Sequence, residues 1–363
     1  MEIAGKNAKK ENMILTFVLW CILCGCSMVV MLFTAANKTI VITDTAQEQA
    51  AFSVHESQQA ATLRNMLKME ETGTANELCI PLEDGIKAEN VVMENHYTEQ
   101  ELWIYIKEAG SSFYDSNQIS GDLTFVQEGW YEPQRDGLIL KINLEGVWEY
   151  NSTMEGNSLH IAFYKPHDLY RQVIVVDPVG GGSENGITVE ESKEKEIALR
   201  VAMLLPVKIT EKEIKLYFTR TDDRQVSMEQ RCLLAQAVDA DCFLQIGASV
   251  NRENEDIYGI QSLYNEEYYI PEFGNVELAD TVTKAVTVAA SNRALGLFPA
   301  EEGSVLRQLN MPAAKICVGY LSNEQERSLL MQEAYQEKLA EGIAEAILEV
   351  YTKSNIVANH TEE

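Results

Sequence analysis

The sequence predicts an α/β fold for the C-terminal half of the chain, with a mostly parallel sheet that helices cover on both faces. Residues 173–176 (Val-Ile-Val-Val) are continuously apolar, as in strands buried on both faces of a parallel sheet. Strand patterns then alternate with helical patterns along residues 171–353, the order expected of a parallel sheet with crossover helices. A small β-rich domain and an N-terminal transmembrane helix are expected to precede this domain.

The elements of the α/β domain follow from hydrophobic periodicity and from signals at their ends. Ser227 and Gln230 form a capping box, in which two side chains satisfy free N–H groups at the start of a helix. The predicted strands span residues 173–176, 214–219, 242–246 and 315–318, and the predicted helices span 194–205, 227–239, 276–292 and most of 325–353.

Residues 78–166 are predicted to form a small, mainly antiparallel β domain. Leucine or isoleucine occupies every second position of Glu101–Lys107, which is the period of a half-buried strand. Two later segments, 138–144 and 159–163, repeat this alternation. Thr98 could instead begin a helix with Glu101 as its capping-box partner, but the aromatic and β-branched content of the segment favours a strand.

An uncharged N-terminal segment, residues 12–37, predicts a transmembrane helix, because a helix needs about 20 apolar residues to cross a bilayer core. Lys6, Lys9 and Lys10 precede the segment, whereas Lys38 is the only lysine that follows it closely. Positive charge favours the cytoplasmic side. The sequence therefore predicts a single-pass anchor in the cytoplasmic membrane, with residues 1–11 as a cytoplasmic tail and the bulk of the chain outside the cytoplasm.

Two other interpretations of this segment remain open. It could be a signal peptide that is cleaved, or Leu23-Cys24-Gly25-Cys26 could be the lipidation site of a lipoprotein. Residues 38–77 are expected to form a stalk or linker, partly helical around 57–71. Residues 354–363 are expected to be a disordered tail.

The charge of the chain excludes some classes of partner. A net charge of −27 argues against nucleic acid, since phosphate binding needs clustered lysine and arginine, and against non-specific adhesion to anionic lipids or wall polymers. Four cysteines follow the anchor at spacings that suggest no disulfide framework, so we expect free thiols. They are Cys79, Cys232, Cys242 and Cys317.

Several short motifs of the C-terminal half occur in an informative order. They are Val173-Ile-Val-Val-Asp-Pro178, Glu194-Lys-Glu-Ile-Ala-Leu199, Thr219-Arg-Thr-Asp-Asp-Arg224, Met311-Pro312-Ala313 and Val318-Gly-Tyr-Leu-Ser-Asn323. In these motifs and their spacing the chain resembles the zinc-dependent N-acetylmuramoyl-L-alanine amidase family of the amidase 3 type. The resemblance implies a zinc ion that activates water for cleavage of the amide bond between muramic acid and L-alanine.

The resemblance also implies which positions carry the chemistry. The family holds zinc with two histidines and a glutamate, and a second glutamate acts as general base. The matching positions hold Gly180 and Gly247 in place of the histidines, Glu194 as the retained glutamate ligand, and Cys317 in place of the general base. Asp177, Glu194 and Cys317 are the remaining candidate binding residues.

The histidine content of the domain bears directly on the metal. No histidine lies between His167 and His360, so no imidazole within this region is available to replace the missing ligands. We therefore expect that this protein holds no zinc cofactor and has no intact catalytic site.

Three functions remain in competition. The leading one is a membrane-anchored cell-envelope pseudoenzyme that binds peptidoglycan or its fragments, or regulates a partner wall hydrolase, without hydrolysis. The first alternative is an active N-acetylmuramoyl-L-alanine amidase in peptidoglycan turnover. The second is a structural envelope module in which the amidase fold is only a scaffold.

Overall fold

The computed structural model describes residues 65–73 and 75–361, which form a β-sandwich followed by an α/β domain. The predicted cytoplasmic tail and the transmembrane helix at 12–37 lie outside the described residues, as do the signal-peptide and lipoprotein alternatives. Within the part of the chain that the structure describes, no helix is long and apolar enough to span a membrane.

The β-sandwich consists of two five-stranded sheets. Its strands are β1 (Asn65–Met66), β2 (Met69–Glu71), β3 (Glu77–Pro81), β4 (Val91–His96), β5 (Glu101–Lys107), β6 (Ile119–Gly121), β7 (Val126–Gln134), β8 (Gly137–Leu144), β9 (Glu149–Glu155) and β10 (Ser158–Tyr164). One sheet has the order β1-β7-β8-β5-β4 and the other has the order β2-β6-β3-β10-β9. Apart from the parallel pair β2 and β6, neighbouring strands are antiparallel, which confirms the predicted β-rich domain.

The alternating residues of the predicted strands form the core between the two sheets. Leu102, Ile104 and Ile106 of β5 are fully buried. They belong to one apolar cluster with residues of the neighbouring strand β8 and of β10 in the other sheet. The strand β5 pairs with both β4 and β8, so the alternative of a helix beginning near Thr98 is wrong. The short helix α1 (Phe113–Ser116) and a 3-10 helix at Ala88–Asn90 lie between strands of this domain, and the short helix α2 (Pro166–Leu169) follows β10.

Residues 65–71 differ from the expectation. The sequence assigns them to the stalk and to a partly helical segment, but they form β1 and β2 of the sandwich. Asn65 and Met66 pair with Tyr131 and Trp130 of β7, and β2 pairs with β6. Strands of two and three residues are too short for a periodicity signal, so only pairing with distant strands defines them.

The α/β domain has a six-stranded sheet of order β14-β11-β15-β18-β16-β17. Its sheet strands are β11 (Gln172–Pro178), β14 (Ile214–Phe218), β15 (Cys242–Ser249), β16 (Ile260–Tyr264), β17 (Ala294–Pro299) and β18 (Ala313–Tyr320), and β12 (Thr188–Val189) and β13 (Ser192–Lys193) form a separate small hairpin. All neighbouring strands of the large sheet are parallel except β16 and β18. The predicted mostly parallel sheet is therefore confirmed.

Helices cover both faces of this sheet. They are α3 (Glu194–Met203), α4 (Leu205–Lys208), α5 (Met228–Ala237), α6 (Asn275–Ala289), α7 (Glu324–Leu330) and α8 (Glu333–Thr361), with a 3-10 helix at Val305–Arg307. Apolar residues of α3, α6 and α8 pack on one face, and those of α5 and the 3-10 helix pack on the other. The capping box of Ser227 and Gln230 forms as the sequence predicts.

Three features of this domain depart from the expected elements. The strands β16 and β17 were not expected, and β15 and β18 are longer than the segments 242–246 and 315–318. The helix α8 continues to Thr361, through residues 354–361 that were expected to be a disordered tail. A single-sequence pattern marks the apolar centre of an element better than its ends.

The two domains are in direct contact at the edge strand β14. The Tyr217 hydroxyl donates to Oε1 of Glu149 at 2.6 Å, and Nζ of Lys215 lies 3.0 Å from the same oxygen. Arg224 donates to Oγ1 of Thr98 at 2.7 Å. Both Glu149 and Lys215 are largely buried, so this polar contact is mostly shielded from solvent.

We predict that Glu149→Leu destabilises the protein by about 3 kcal/mol, because it leaves the Lys215 ammonium partly buried without its carboxylate. Chemical unfolding of the purified full-length chain measures the effect. The matched control is Lys284→Met, which removes an exposed ion pair with Asp280 and should cost less than about 1 kcal/mol. Equal losses from the two variants would contradict this assignment.

Candidate functional site

The candidate site lies on one face of the sheet, near the carboxyl ends of β11, β15 and β18. The strand register places Asp177 beside Gln245, Gln245 beside Lys315, and Gly247 beside Cys317. Residues at alternate positions of a strand project to the same face, so these side chains share one surface. In α/β sheets the crevice outside the carboxyl ends of the strands is where ligands bind.

Glu194 is the buried carboxylate of this surface. It is the first residue of α3, where a negative charge is stabilised by the helix dipole, and it is only 3% exposed. Its Oε1 accepts hydrogen bonds from the main-chain N–H of Ala248 at 2.8 Å and from Nζ of Lys315 at 2.9 Å. Its Oε2 accepts from the N–H of Ile187 at 2.8 Å. Both oxygens are therefore engaged by groups of the chain itself.

Lys315 supplies the cation that faces this carboxylate. Desolvation by itself would lower the pKa of Lys315, but nearby Cys317, Glu194 and Asp177 outweigh it, so the pKa is raised. At neutral pH Cys317 is a protonated thiol, so the carboxylates provide the negative charge that stabilises the ammonium. Lys315 is not among the site residues predicted from the sequence. The available signal was a lysine within an otherwise apolar strand, a position where lysine is rarely found unless it is paired.

Gly247 lies directly against this ion pair. A Cβ added at position 247 would lie 2.4 Å from Oε1 of Glu194, 2.5 Å from Cε of Lys315 and 2.9 Å from its Nζ. Heavy atoms that are not bonded cannot approach so closely. The Lys315 side chain therefore occupies the space into which a side chain at position 247 would project.

Gly180 has different surroundings. Its φ is +70°, and Gly181 and Gly182 also have positive φ, of +125° and +56°. An added Cβ would lie 2.5 Å from the carbonyl oxygen of Glu184 and 3.0 Å from Cβ of Lys195. The missing side chain at position 180 would thus meet the backbone of its own loop, so the two glycines are not equivalent in this structure.

Asp177 belongs to a buried cluster beneath the site. Its side chain is inaccessible to solvent and forms an ion pair with Arg231. Its Oδ1 accepts from Oγ1 of Thr219 at 2.6 Å, and its Oδ2 accepts from Nε2 of Gln245 at 2.6 Å. Both oxygens are used within the protein. Asp177 therefore positions neighbouring strands and loops, and the structure leaves it no open side for a ligand.

Cys317 is also buried, beside Gly247 and cross-strand from Gln261. Burial raises the pKa of its thiol to about 11, although the Lys315 ammonium acts in the opposite direction. Gln261 donates to Oγ of Ser249 at 3.1 Å and accepts from the Tyr320 hydroxyl at 2.6 Å. The amide and hydroxyl groups around Cys317 are not bases that would form a thiolate, and the nearby Glu194 carboxylate raises the pKa of the thiol further.

No imidazole reaches this cluster from the preceding connector. Nε2 of His167 contacts the carbonyl oxygen of Asp239 at 2.8 Å, near the start of β15 and so at the opposite edge of the sheet. Across residues 65–73 and 75–353, no group of three or more histidine, cysteine, aspartate or glutamate side chains is placed to hold a metal ion. The described cysteines are free thiols, as expected.

Comparison with known proteins identifies relatives of the α/β domain. Residues 174–349 match the family model of N-acetylmuramoyl-L-alanine amidase. Among curated relatives, the amidase LytC of Bacillus subtilis is 24% identical over 194 residues, covering 53% of this chain and 38% of LytC. The putative amidase YrvJ of the same organism is 32% identical over 184 residues, covering 50% of this chain and 34% of YrvJ.

A solved N-acetylmuramoyl-L-alanine amidase from Clostridium difficile 630 is 29% identical, with a TM-score of 0.46, and the match covers 50% of this chain and 97% of that one. The chain spans little more than a third of the length of LytC and YrvJ. These matches concern the α/β domain, and the family model begins after the β-sandwich. Residues 174–349 are thus similar to the N-acetylmuramoyl-L-alanine amidase family, a match that covers just under half of the chain.

Proposed function

We propose that this protein is a non-hydrolytic member of its family, a membrane-anchored cell-envelope protein that binds peptidoglycan fragments or regulates a partner wall hydrolase. The observation that carries the proposal is the Lys315–Glu194 ion pair, which fills the space beside Gly247. The uncharged segment 12–37 and the lysines before it support the anchor.

The donor set of the site does not fit a catalytic zinc ion. Such an ion has three protein ligands and one open position. Of the ligand positions that the family resemblance marks, only Glu194 carries a donor side chain. Its oxygens already accept hydrogen bonds from Lys315, Ala248 and Ile187. The Lys315 ammonium would also repel a divalent cation at close range.

The position of the general base supports the same proposal. A general base works best when its pKa is close to the operating pH. Burial raises the pKa of Cys317 to about 11, so a neutral thiol stands where the family has a carboxylate. This thiol is poorly suited to accept a proton from water at neutral pH.

The fold itself has no need of a metal ion. The main core of the α/β domain is apolar and continuous from the sheet to α3, α6 and α8. The polar layer at the carboxyl edge is internally paired, through Lys315–Glu194 and Arg231–Asp177. A folded cleft without catalytic chemistry favours a binding or regulatory role.

We predict that the purified protein contains no stoichiometric zinc and does not cleave muramoyl peptides when zinc is added. Elemental analysis and a cleavage assay measure the two quantities. As a positive control, Gly247→His/Lys315→Leu should bind zinc at least about tenfold more tightly than Gly247→His alone, because it frees the space beside Glu194. About one tightly held zinc ion per wild-type chain would favour the active amidase instead.

We predict that Cys317 resists alkylation by iodoacetamide in the folded protein at pH 8. Its raised pKa means that thiolate becomes abundant only as the pH approaches about 11, and the thiol is also buried. Partly exposed Cys79 is the internal control, and peptide mass spectrometry after timed labelling compares the two. Labelling of Cys317 as fast as Cys79 would indicate a reactive nucleophile.

We predict an orientation with the N-terminus in the cytoplasm. Protease added to cells from which the wall has been removed should digest the chain beyond about Lys38, since the positive flank holds residues 1–11 inside. An antibody to each terminus would follow the fragments. Full protection of residues 65–361 in these wall-free cells would contradict the proposed location.

A further inference from the structure

The Lys315 ammonium has hydrogen-bonding capacity that its ion pair does not use. An ammonium group has three N–H donors. Among the described residues, its hydrogen-bond acceptor is Oε1 of Glu194. The Lys315 side chain is 17% exposed, whereas that of Glu194 is 4% exposed. Lys315 is therefore the partner of this ion pair whose side chain keeps some contact with solvent.

Small or partly exposed residues surround Lys315 near the carboxyl edge of the sheet. Gly247 lies on the neighbouring strand and has no side chain that could cover the ammonium. On the other side, Leu263 is the cross-strand partner of Lys315 and is half-buried. The half-buried Ser249 follows at the end of β15. A cation beside an apolar and a hydroxyl group suits a ligand that combines an anionic oxygen with an aliphatic part.

Stability alone does not account for a lysine at this position. Glu194 already receives two main-chain hydrogen bonds, from Ala248 and Ile187. An ion pair of this kind is often no more stabilising than well-packed apolar residues of similar volume, since both charges lose hydration. A charged group kept at the carboxyl edge of the sheet is better explained by contact with a ligand.

A second buried cation, Arg220, lies beside the glycine loop of the same domain. Arg220 is fully buried, and it donates to the main-chain carbonyl oxygens of Pro178, Val179, Lys195 and Asp222. Its charge is thus solvated by peptide dipoles instead of being cancelled by a carboxylate in contact. In a chain with a net charge of −27, this edge is a favourable place for an anionic group.

We propose that Lys315 binds a carboxylate of the peptidoglycan stem peptide, so that the chain's own ammonium receives a ligand oxygen at the carboxyl edge of the sheet. This inference rests on the proposed function and names the part of peptidoglycan that is recognised. Stem peptides carry free carboxylates, whereas the hydroxyl and acetamido groups of the glycan are neutral. Hydrogen bonds between ionised partners are the strong ones, so the ammonium favours the peptide over the glycan.

The test is a calorimetric titration of the full-length protein in detergent with three probes. They are a synthetic N-acetylmuramoyl tripeptide with free carboxylates, the same compound with its carboxylates amidated, and a peptide-free N-acetylglucosamine disaccharide. We expect the wild type to bind the free tripeptide at least about tenfold more tightly than the amidated one, a difference of about 1.4 kcal/mol. The disaccharide should bind weakly in comparison.

Variants assign this preference to the ammonium. Lys315→Met should weaken binding of the free tripeptide about tenfold and abolish the preference over the amidated form, whereas Lys315→Arg should keep much of the preference. The matched control is Lys208→Met, which removes a similarly buried lysine from a 2.8 Å ion pair with Glu341, away from the site. It should leave all three affinities unchanged.

Each contrary outcome has a distinct meaning. If the wild type binds both tripeptides equally, Lys315 does not recognise a carboxylate of the ligand. The same holds if Lys315→Met binds like the wild type. In both cases peptidoglycan binding itself stands. If no probe binds the wild type, Lys315 recognition and the peptidoglycan-binding part of the proposed function fail together. If inorganic phosphate competes as well as the tripeptide, the site binds anions in general, which overturns recognition of the peptide. The comparison of free and amidated tripeptide needs no variant, so it holds even if Lys315→Met fails to fold.

Discussion

The ion pair between Lys315 and Glu194 is the interaction on which the candidate site depends. It joins α3 to β18, and the same carboxylate accepts hydrogen bonds from Ala248 at the end of β15 and from Ile187 in the preceding loop. The two main-chain hydrogen bonds already satisfy part of the demand of this buried carboxylate, and the ammonium supplies the opposite charge. The family that this domain resembles uses a metal ion, and we propose that this chain uses an ammonium instead. The Lys315 side chain occupies the space into which a side chain at position 247 would project.

An ammonium and a zinc ion do different chemistry in the same place. Zinc lowers the pKa of a bound water to about 7 and so generates hydroxide. An ammonium has no exchangeable coordination position, but it has three N–H groups that donate hydrogen bonds to oxygen atoms. Burial keeps Cys317 protonated at neutral pH, and we propose that the site holds an anionic oxygen without activating water. Binding without hydrolysis, as we propose, follows from this substitution of one cation for another.

The remaining structure keeps this edge in place without depending on it. The apolar layer of the sheet with α3, α6 and α8 is independent of the polar residues above it. Arg231 and Asp177 hold the glycine loop against β11, since Arg231 also donates to the carbonyl oxygen of Gly180 at 2.8 Å. At the far side of the sheet, the β-sandwich contacts side chains of the edge strand β14 through Glu149.

The sequence by itself determined the features of this protein that depend on neighbouring residues. They are the alternation of apolar residues in β5 and β8, the apolar run of β11, the capping box before α5, and the residue types at positions 180, 194, 247 and 317. These follow from periodicity and residue type, which act over a few neighbouring residues. The tertiary structure alone decided that β1, β2, β16 and β17 exist as strands, that α8 continues to Thr361, and that Gly180 faces its own loop. It also decided that the Lys315 side chain enters the space left by Gly247 and meets Glu194, 121 residues earlier in the chain. Periodicity specifies which face of an element is buried but carries no information on which distant side chain that face will meet, and the chemistry of this site depends on such a meeting.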